Sequence, residues 1–342
     1  SMPRSQAMLG WLALRRRMRS APLPDVMHCW SAGALNLVNR CWPRLPRVLT
    51  LVEPPQPQEM PLLRRLLRYS AAPVRVITPR PSVAQGLRTV GVPADLVYTL
   101  PSVLAPAGLE PSASDRQAIR QSWGLDDSTH VVALLDAPPV GGDAVTAAMA
   151  SGLAWESLAA KGSQPPLAVV VHPLQPRRMQ VQVMFERLGK PFRIIQDARL
   201  ACPWRMLAGC DAALTIGPAA GGLGVAWAQA LGCPVVAEPT LDTLAQIGHE
   251  ASGLIAADGR PRSLAYQLHR LLGDAVLAQQ IRQTSTVVTR HRQGAMDQWR
   301  QTLADLYAQI TEGHRPVWPP DAAARLAQAV GDWGKALAAL WL

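Results

Sequence analysis

Short runs of aliphatic and β-branched residues recur along this chain with helix-period segments between them. That alternation limits the fold more than any other feature, because strands separated by crossover helices pair in parallel and need helices over the sheet. In the first part the runs are DVMHCW (25–30), RVLTLVE (47–53), VRVIT (74–78) and LVYTL (96–100). A second series follows: HVVALLD (130–136), LAVVVHP (167–173), FRIIQ (192–196), AALTIG (212–217), PVVAE (234–238) and GLIAA (253–257), with helices expected at 143–160, 178–188, 222–231 and 241–248. Between the two series PSVLAPAGLEPSAS (101–114) has no periodicity and reads as a linker. The expected class is therefore α/β, with two Rossmann-like domains, and 342 residues suit two domains of about 100–200 residues each.

Two capping boxes are expected, Ser82 with Gln85 and Ser114 with Gln117, the second opening a helix that stops at Gly124. Beyond Arg262 the pattern is helical throughout: SLAYQLHRLLG, then AVLAQQIRQTSTVV, then MDQWRQTLADLYAQITE, then an amphipathic tail bearing Trp333, Leu337, Leu340 and Trp341. The expected division is 2–104, 105–290 and a helical extension over 291–342.

With 49 % hydrophobic residues but only two Phe and four Tyr, the core must be built from Leu, Val, Ala and Trp. Cys29, Cys41, Cys202, Cys210 and Cys233 have neither disulfide-scaffold nor zinc spacing and read as buried, reduced thiols. No metal cluster is expected. No apolar run reaches the ~18 residues of a membrane span, and MLGWLALRRRMRS places its arginines after the apolar segment, the reverse of a signal peptide. The expected location is cytoplasmic, with peripheral contact at the inner face of the membrane.

The net charge of +10 selects anionic partners. Its local clusters are Arg15 to Arg19 and Arg64 to Arg68, the latter on EMPLLRRLLRYS, whose leucines line one helical face. That helix can lie on acidic lipid or pack its leucines on its own domain. Nucleic acid is not expected, since few aromatics interleave the basic clusters and no nucleic-acid motif is present.

The stretch GPAAGGLGVAWAQALGCPVVAEP (217–239) has the glycine density of a phosphate cradle: Gly217, Gly221, Gly222 and Gly224 precede a helix whose amides could face an anion. Glycines also let a helix pack close to a sheet, so both readings stand. In context the run CDAALTIGPAAGGLGVAWAQALGCPVVAEPTLDTLAQIGHEASGLIAADGRPRSLAYQLHRLLGD resembles the donor-binding half of GT-B glycosyltransferases, specifically the retaining glycosyltransferase family 4. VRVITPRPSVAQGLRTVGVPADLVYTLPSVLAP and RQAIRQSWGL are similar to that family's exit from the acceptor domain and entry into the donor domain.

The resemblance implies a GT-B arrangement: a truncated N-terminal acceptor-side domain, a donor domain, and a late helix around 295–311 crossing back to the first. It implies a nucleotide-sugar as co-substrate, an acceptor of unknown identity and no further cofactor. His28 and Glu53 at strand ends become the catalytic candidates. Gly217, Gly221, Gly222, Gly224, Glu238, Asp242, His172 and Asp136 become the donor-binding ones, with Arg177 and Arg178 close behind His172 and with Glu238 and Asp242 offered to ribose or sugar hydroxyls. In an open parallel sheet the carboxyl ends of strands face the ligand, which places Asp136, His172, Gly217 and Glu238 on that side.

The departures from the family bear on activity. Its two glutamates, eight residues apart, fall on Ala219 and Trp227, or on Ala220 and Ala228 if the alignment slips by one; neither pair can accept a hydrogen bond through its side chains. Its phosphate-neutralising cations would lie in DAPPVGGDA, which has none. Asp211 reads as a strand cap. Two functions remain: a divergent glycosyltransferase, or a catalytically inactive GT-B pseudoenzyme that binds or scaffolds.

Overall fold

The computed structural model describes residues 24–101, 112–135, 143–160, 166–173, 192–198, 206–217 and 220–312, with isolated positions between 162 and 186. The Arg15 to Arg19 cluster, most of the linker, Asp136 to Gly142 of DAPPVGGDA, Arg177, Arg178, most of the 178–188 helix, Cys202, Ala219 and the tail beyond 312 lie outside the described residues.

The ten expected strands all form, as β1 (Met27–Cys29), β2 (Arg47–Thr50), β3 (Val74–Thr78), β4 (Val97–Thr99), β5 (His130–Leu134), β6 (Leu167–Val171), β7 (Phe192–Gln196), β8 (Ala212–Thr215), β9 (Val235–Ala237) and β10 (Leu254–Ile255). Every pairing between them is parallel. The helices between them are α1 (Ala32–Cys41), α2 (Met60–Tyr69), α3 (Pro81–Thr89), α4 (Ala113–Ser122), α5 (Ala144–Ala159), α6 (Leu223–Ala230), α7 (Leu241–Gln246), α8 (Pro261–Gly273) and α9 (Ala275–Thr311).

The first sheet runs β1-β2-β3-β4 in sequential order. Right-handed crossovers then put α1, α2 and α3 on a single face. There Leu35, Val38, Leu63, Leu66, Leu67, Val83 and Leu87 pack on Leu49, Val74 and Val76. The opposite face would be bare, and α9 covers it: Leu303, Leu306, Tyr307 and Ile310 pack on Val48, Ile77 and Tyr98. At its other end α9 contributes Leu277, Ala278 and Ile281 to the second domain. Its 37 residues extend about 55 Å at ~1.5 Å per residue, enough to touch both domains.

The second sheet runs β10-β9-β8-β5-β6-β7, the doubly wound order in which the winding reverses between β5 and β8. Both faces are covered. Val131, Ala133, Ala168, Val170, Ala213 and Val235 meet α4 and α6 on one side, and Val132, Leu134, Leu167, Val169, Leu214 and Val236 meet α5 and α8 on the other.

Local expectations are corrected in three places, and the choice left open for α2 is decided. Helix α4 is capped by Ser112 with Asp115, two residues before the expected box, because Ser112 holds the extended N-cap geometry and accepts from Asp115 N–H. Helix α3 begins after Arg80 with no side-chain cap of its own, and Ser82 turns to the second domain. The two helices expected after Gly273 are one, since α9 runs unbroken through Gly294. On α2 the leucines Leu63, Leu66 and Leu67 are buried in the core of the first domain, so this helix has no free apolar face for lipid.

Cys29, Cys41, Cys210 and Cys233 are free and buried. Burial pushes the Cys29 and Cys41 thiols up to about 11 and Cys233 to about 12. They act as packing residues with little thiolate character.

Candidate functional site

In a doubly wound sheet ligands bind in the crevice outside the carboxyl ends of the strands at the point of reversal, here between β5 and β8, and the chain leaves β8 at that point through Gly217. Gly217 (φ +92°) and Gly221 (φ +86°) both take the left-handed conformation open to glycine. Gly217 N–H donates to Glu238 Oε1 at 2.9 Å, its carbonyl accepts from Ala220 N–H at 2.9 Å, and Gly221 N–H donates to Thr215 Oγ1 at 3.1 Å. A Cβ on Gly221 would lie 2.7 Å from Asp242 Cβ and 2.8 Å from Thr243 N. Close packing on α7 therefore accounts for Gly221. Gly222 is the N-cap of α6 and carries no side chain to cap it, so the first turn of that helix presents uncapped backbone at the crevice. Gly224 lies within that first turn.

Glu238 follows β9 and is wedged between Gly217 and Gly259, where an added Cβ would come within 2.7 Å of its Oε2. Burial raises its pKa, opposed by the Gly217 N–H bond. His172 is half-buried at the end of β6, one strand beyond β5 from the glycine loop. Asp211 behaves as expected of a structural acid: it accepts from Val131 N–H at 2.8 Å and from Arg116 at 2.6 Å. Trp227 packs, partly buried, against the α4-side core of the second domain. No group of His, Cys, Asp and Glu that could hold a metal occurs among the described residues.

Asp242 is corrected. Both of its oxygens are engaged by the first domain: Oδ1 accepts from Ser82 N–H at 2.8 Å, and Oδ2 from Ser82 Oγ at 2.5 Å and Arg80 Nε at 2.8 Å. The α3 helix, which has no cap of its own, is thus capped across the cleft, where a carboxylate also meets its positive end. Arg80 adds bonds from Nη2 to Ala220 O at 2.8 Å, in the glycine loop, and from Nη1 to Glu53 at 3.0 Å. The Arg80 and Asp242 side chains are 1 % and 2 % exposed. A ligand hydroxyl has no access to Asp242, whereas 53 % of the Glu53 side chain is exposed. Crowding around Glu53 raises its pKa more than Arg80 lowers it, despite that exposure.

His28, the middle residue of β1, has both ring nitrogens engaged, Nδ1 with Tyr307 Oη and Nε2 with Thr50 Oγ1, each at 2.6 Å. A neutral imidazole has one donor and one acceptor, so one hydroxyl donates and the other accepts. Trp30, 62 % exposed, stacks on the ring at 4.8 Å between centroids.

Burial lowers the His28 pKa below its ordinary 6.5. The unfolded chain then takes up the proton first as pH falls, so this stabilising contribution is complete above the unfolded value and is lost as pH drops through the folded one. Denaturation measured from about pH 7.5 to about pH 5.5 is expected to show stability falling with acid, and His28→Gln should remove that component.

Sequence reasoning missed Arg80, Tyr307 and Trp30. The only local sign of Arg80 was its place between two prolines in TPRPS, at a strand-to-helix corner. Tyr307 could not be paired with His28 from sequence, since 279 positions separate them.

No protein-family model matches the chain, and no curated protein matches it by sequence. Solved structures do. Anabaena HepE in complex with UDP and glucose superposes with a TM-score of 0.65 at 18 % identity, over 82 % of this chain and 78 % of that one. Sucrose-phosphate synthase from Thermosynechococcus elongatus gives 0.63 at 16 %, covering 83 % and 74 %. A Rickettsia africae glycosyltransferase gives 0.63 at 13 %, covering 91 % and 82 %. At these identities the likeness concerns architecture, and together with the two parallel sheets, the doubly wound order of the second and the helix that spans both, it places this chain in the GT-B glycosyltransferase fold.

Proposed function

We propose that this protein is a divergent glycosyltransferase of the family 4 type, which takes a sugar from a nucleotide-sugar bound to the second domain and passes it to an acceptor held against the first. The observation that carries the reading is the glycine loop at the reversal point of the second sheet, with the uncapped start of α6 behind it and the half-exposed Glu53 across the opening. The UDP and glucose bound to HepE suit the same assignment. Backbone amides and the positive end of α6 would hold the diphosphate. Glu238, anchored on Gly217, would accept from a sugar or ribose hydroxyl through its second oxygen. Gly217, Gly222 and Gly224, with His172 at the end of β6, complete the donor side. On the other side His28, held by Tyr307 and Thr50, and Glu53 face the acceptor, and the exposed ring of Trp30 offers a stacking surface. The protein would contribute orientation and stabilisation of the leaving phosphate, with no protein nucleophile.

A second reading, a GT-B pseudoenzyme, is favoured by one observation: Trp227 stands where the family carries an acid, and it packs on the core. Turnover separates the two. Nucleotide release from UDP-, GDP- and ADP-sugars, followed with an acceptor mixture from cell extract, should exceed a no-protein control, and Glu238→Gln should lower kcat/KM about tenfold, the equivalent of ~1.4 kcal/mol. Saturable nucleotide binding without turnover would establish the pseudoenzyme.

Peripheral membrane contact is part of this proposal only in electrostatic form. The leucines of α2 are committed to the core, so Arg64, Arg65 and Arg68 are what that helix offers to acidic lipid. No described helix is long and apolar enough to cross a membrane.

A further inference from the structure

Far from the cleft, at the amino ends of the first-domain strands, the carboxyl halves of α1 and α2 enclose a recess of about 260 Å³. Its polar lining is Asn36, Asn39, Arg40, Arg65, Tyr69 and Ser70, with no acid among the lining residues. Beneath it lies Arg47, the first residue of β2, with no exposed surface. Burial pulls Arg47 down to about 10, which leaves it protonated at neutral pH.

Arg47 has no carboxylate partner among the described residues. Its guanidinium donates to Asn39 Oδ1 at 2.5 Å, Pro43 O at 2.8 Å and Ser70 Oγ at 2.7 Å, while its Nε is buried without an acceptor. A buried cation lacking a counter-ion is costly, and folded proteins almost always pair one. These bonds also fix the polarity of the recess. With Oδ1 of Asn39 taken by Arg47, the Asn39 amide N–H groups are left for the recess. With the Ser70 oxygen accepting from Arg47, its hydroxyl proton is free to donate, a loose 3.5 Å approach to Asn39 Oδ1 being its only competing contact. Arg40 and Arg65 are exposed and form no ion pair among the described residues. The recess therefore presents donors over a buried positive charge.

We infer that the α1–α2 recess is an anion site for a phosphate group, held by Arg40 and Arg65 at its rim and by Asn39 and Ser70 at its floor, with Arg47 as the buried counter-charge. The carboxyl ends of two helices oppose an anion, which three guanidinium groups outweigh. The phosphate could come from a soluble phosphomonoester or from a lipid headgroup, since the donors recognise the same chemistry. The site is separate from the glycine loop, so it stands or falls independently of nucleotide-sugar binding.

The test follows thermal unfolding of the full chain in sodium phosphate against sodium chloride of matched ionic strength, with and without saturating UDP. The wild type should show a saturable, phosphate-specific rise in midpoint that UDP leaves intact. The Arg40→Gln/Arg65→Gln double variant, altered only at exposed positions, should unfold at the wild-type midpoint without phosphate and require at least tenfold more phosphate. Asn39→Asp should supply the missing counter-ion, raise the phosphate-free midpoint and abolish the response.

Flotation with phosphatidylcholine vesicles, plain or doped with phosphatidic acid, identifies the source. Capture only by phosphatidic acid, lost in the double variant, assigns a lipid headgroup even where free phosphate is too weak to act. A phosphate response without capture assigns a soluble phosphomonoester. If neither probe acts on the wild type, or if both act equally on the double variant, the inference is wrong.

Discussion

Asp242→Ala is expected to destabilise the protein by about 3–5 kcal/mol, the usual cost of removing one member of a buried ion pair. The loss has two components. Arg80 keeps only Glu53 as a charged partner among the described residues, and Glu53 is half in solvent, where a pair is worth little. The Ser82 N–H and hydroxyl lose their acceptor, which uncaps α3. Because the pair joins residues from different domains, the consequence is also geometric. Small-angle scattering should show a larger radius of gyration for Asp242→Ala than for the wild type, and limited proteolysis should find the junction. Equilibrium unfolding by urea measures the energetic part. A change below about 1 kcal/mol would mean that the pair is not maintained in solution.

Gly221→Val should be comparably severe, but for a different reason. The residue has φ +86°, where an L side chain costs about 1–2 kcal/mol. Its Cβ would be forced within 2.7–2.8 Å of the Asp242 and Thr243 backbone region, and overpacking of that kind adds about 1–3 kcal/mol. The loop can relieve the clash only by moving off α7, which breaks the Gly221–Thr215 bond and draws Ala220 away from Arg80. The variant is therefore predicted to lose both stability and nucleotide affinity. Gly248→Ala provides a control, since an added Cβ there meets nothing closer than 3.6 Å. Equal stability losses in the two variants by urea unfolding would contradict the packing argument.

These predictions rest on features that sequence exposes unequally. The strands were legible because VRVIT and FRIIQ are compact aliphatic runs bounded by turn residues. The glycine loop was legible as a loop. Its purpose at Gly221 was not, because a GGxG pattern is the same whether it cradles a phosphate or admits α7. Asp242 showed the limit most clearly. An acid in the first turn of a short helix reads locally as a partner for that helix's own positive end, but its carboxylate caps a different helix, 160 positions away. The continuity of α9 was hidden by Gly294, whose cost of about 1 kcal/mol against Ala in a helix is overcome by packing at both ends of the helix, on two different domains. Arg47 gave no local sign at all: at the head of a strand it looks like a solvated end, and only the fold over it leaves the charge buried without an acid among the described residues.

The central claim is that the crevice at the end of β8 holds a nucleotide. The most direct measurement is thermal unfolding of the purified chain against UDP, GDP, ADP and their common sugar conjugates, at fixed ionic strength. A ligand present at about a hundred times its dissociation constant stabilises the native state by about 2.7 kcal/mol, a readily visible shift in midpoint. The account predicts such a shift for one nucleotide class, and its loss in Gly221→Val but not in Gly248→Ala. No shift with any nucleotide at millimolar concentration would contradict it and leave the fold without its donor.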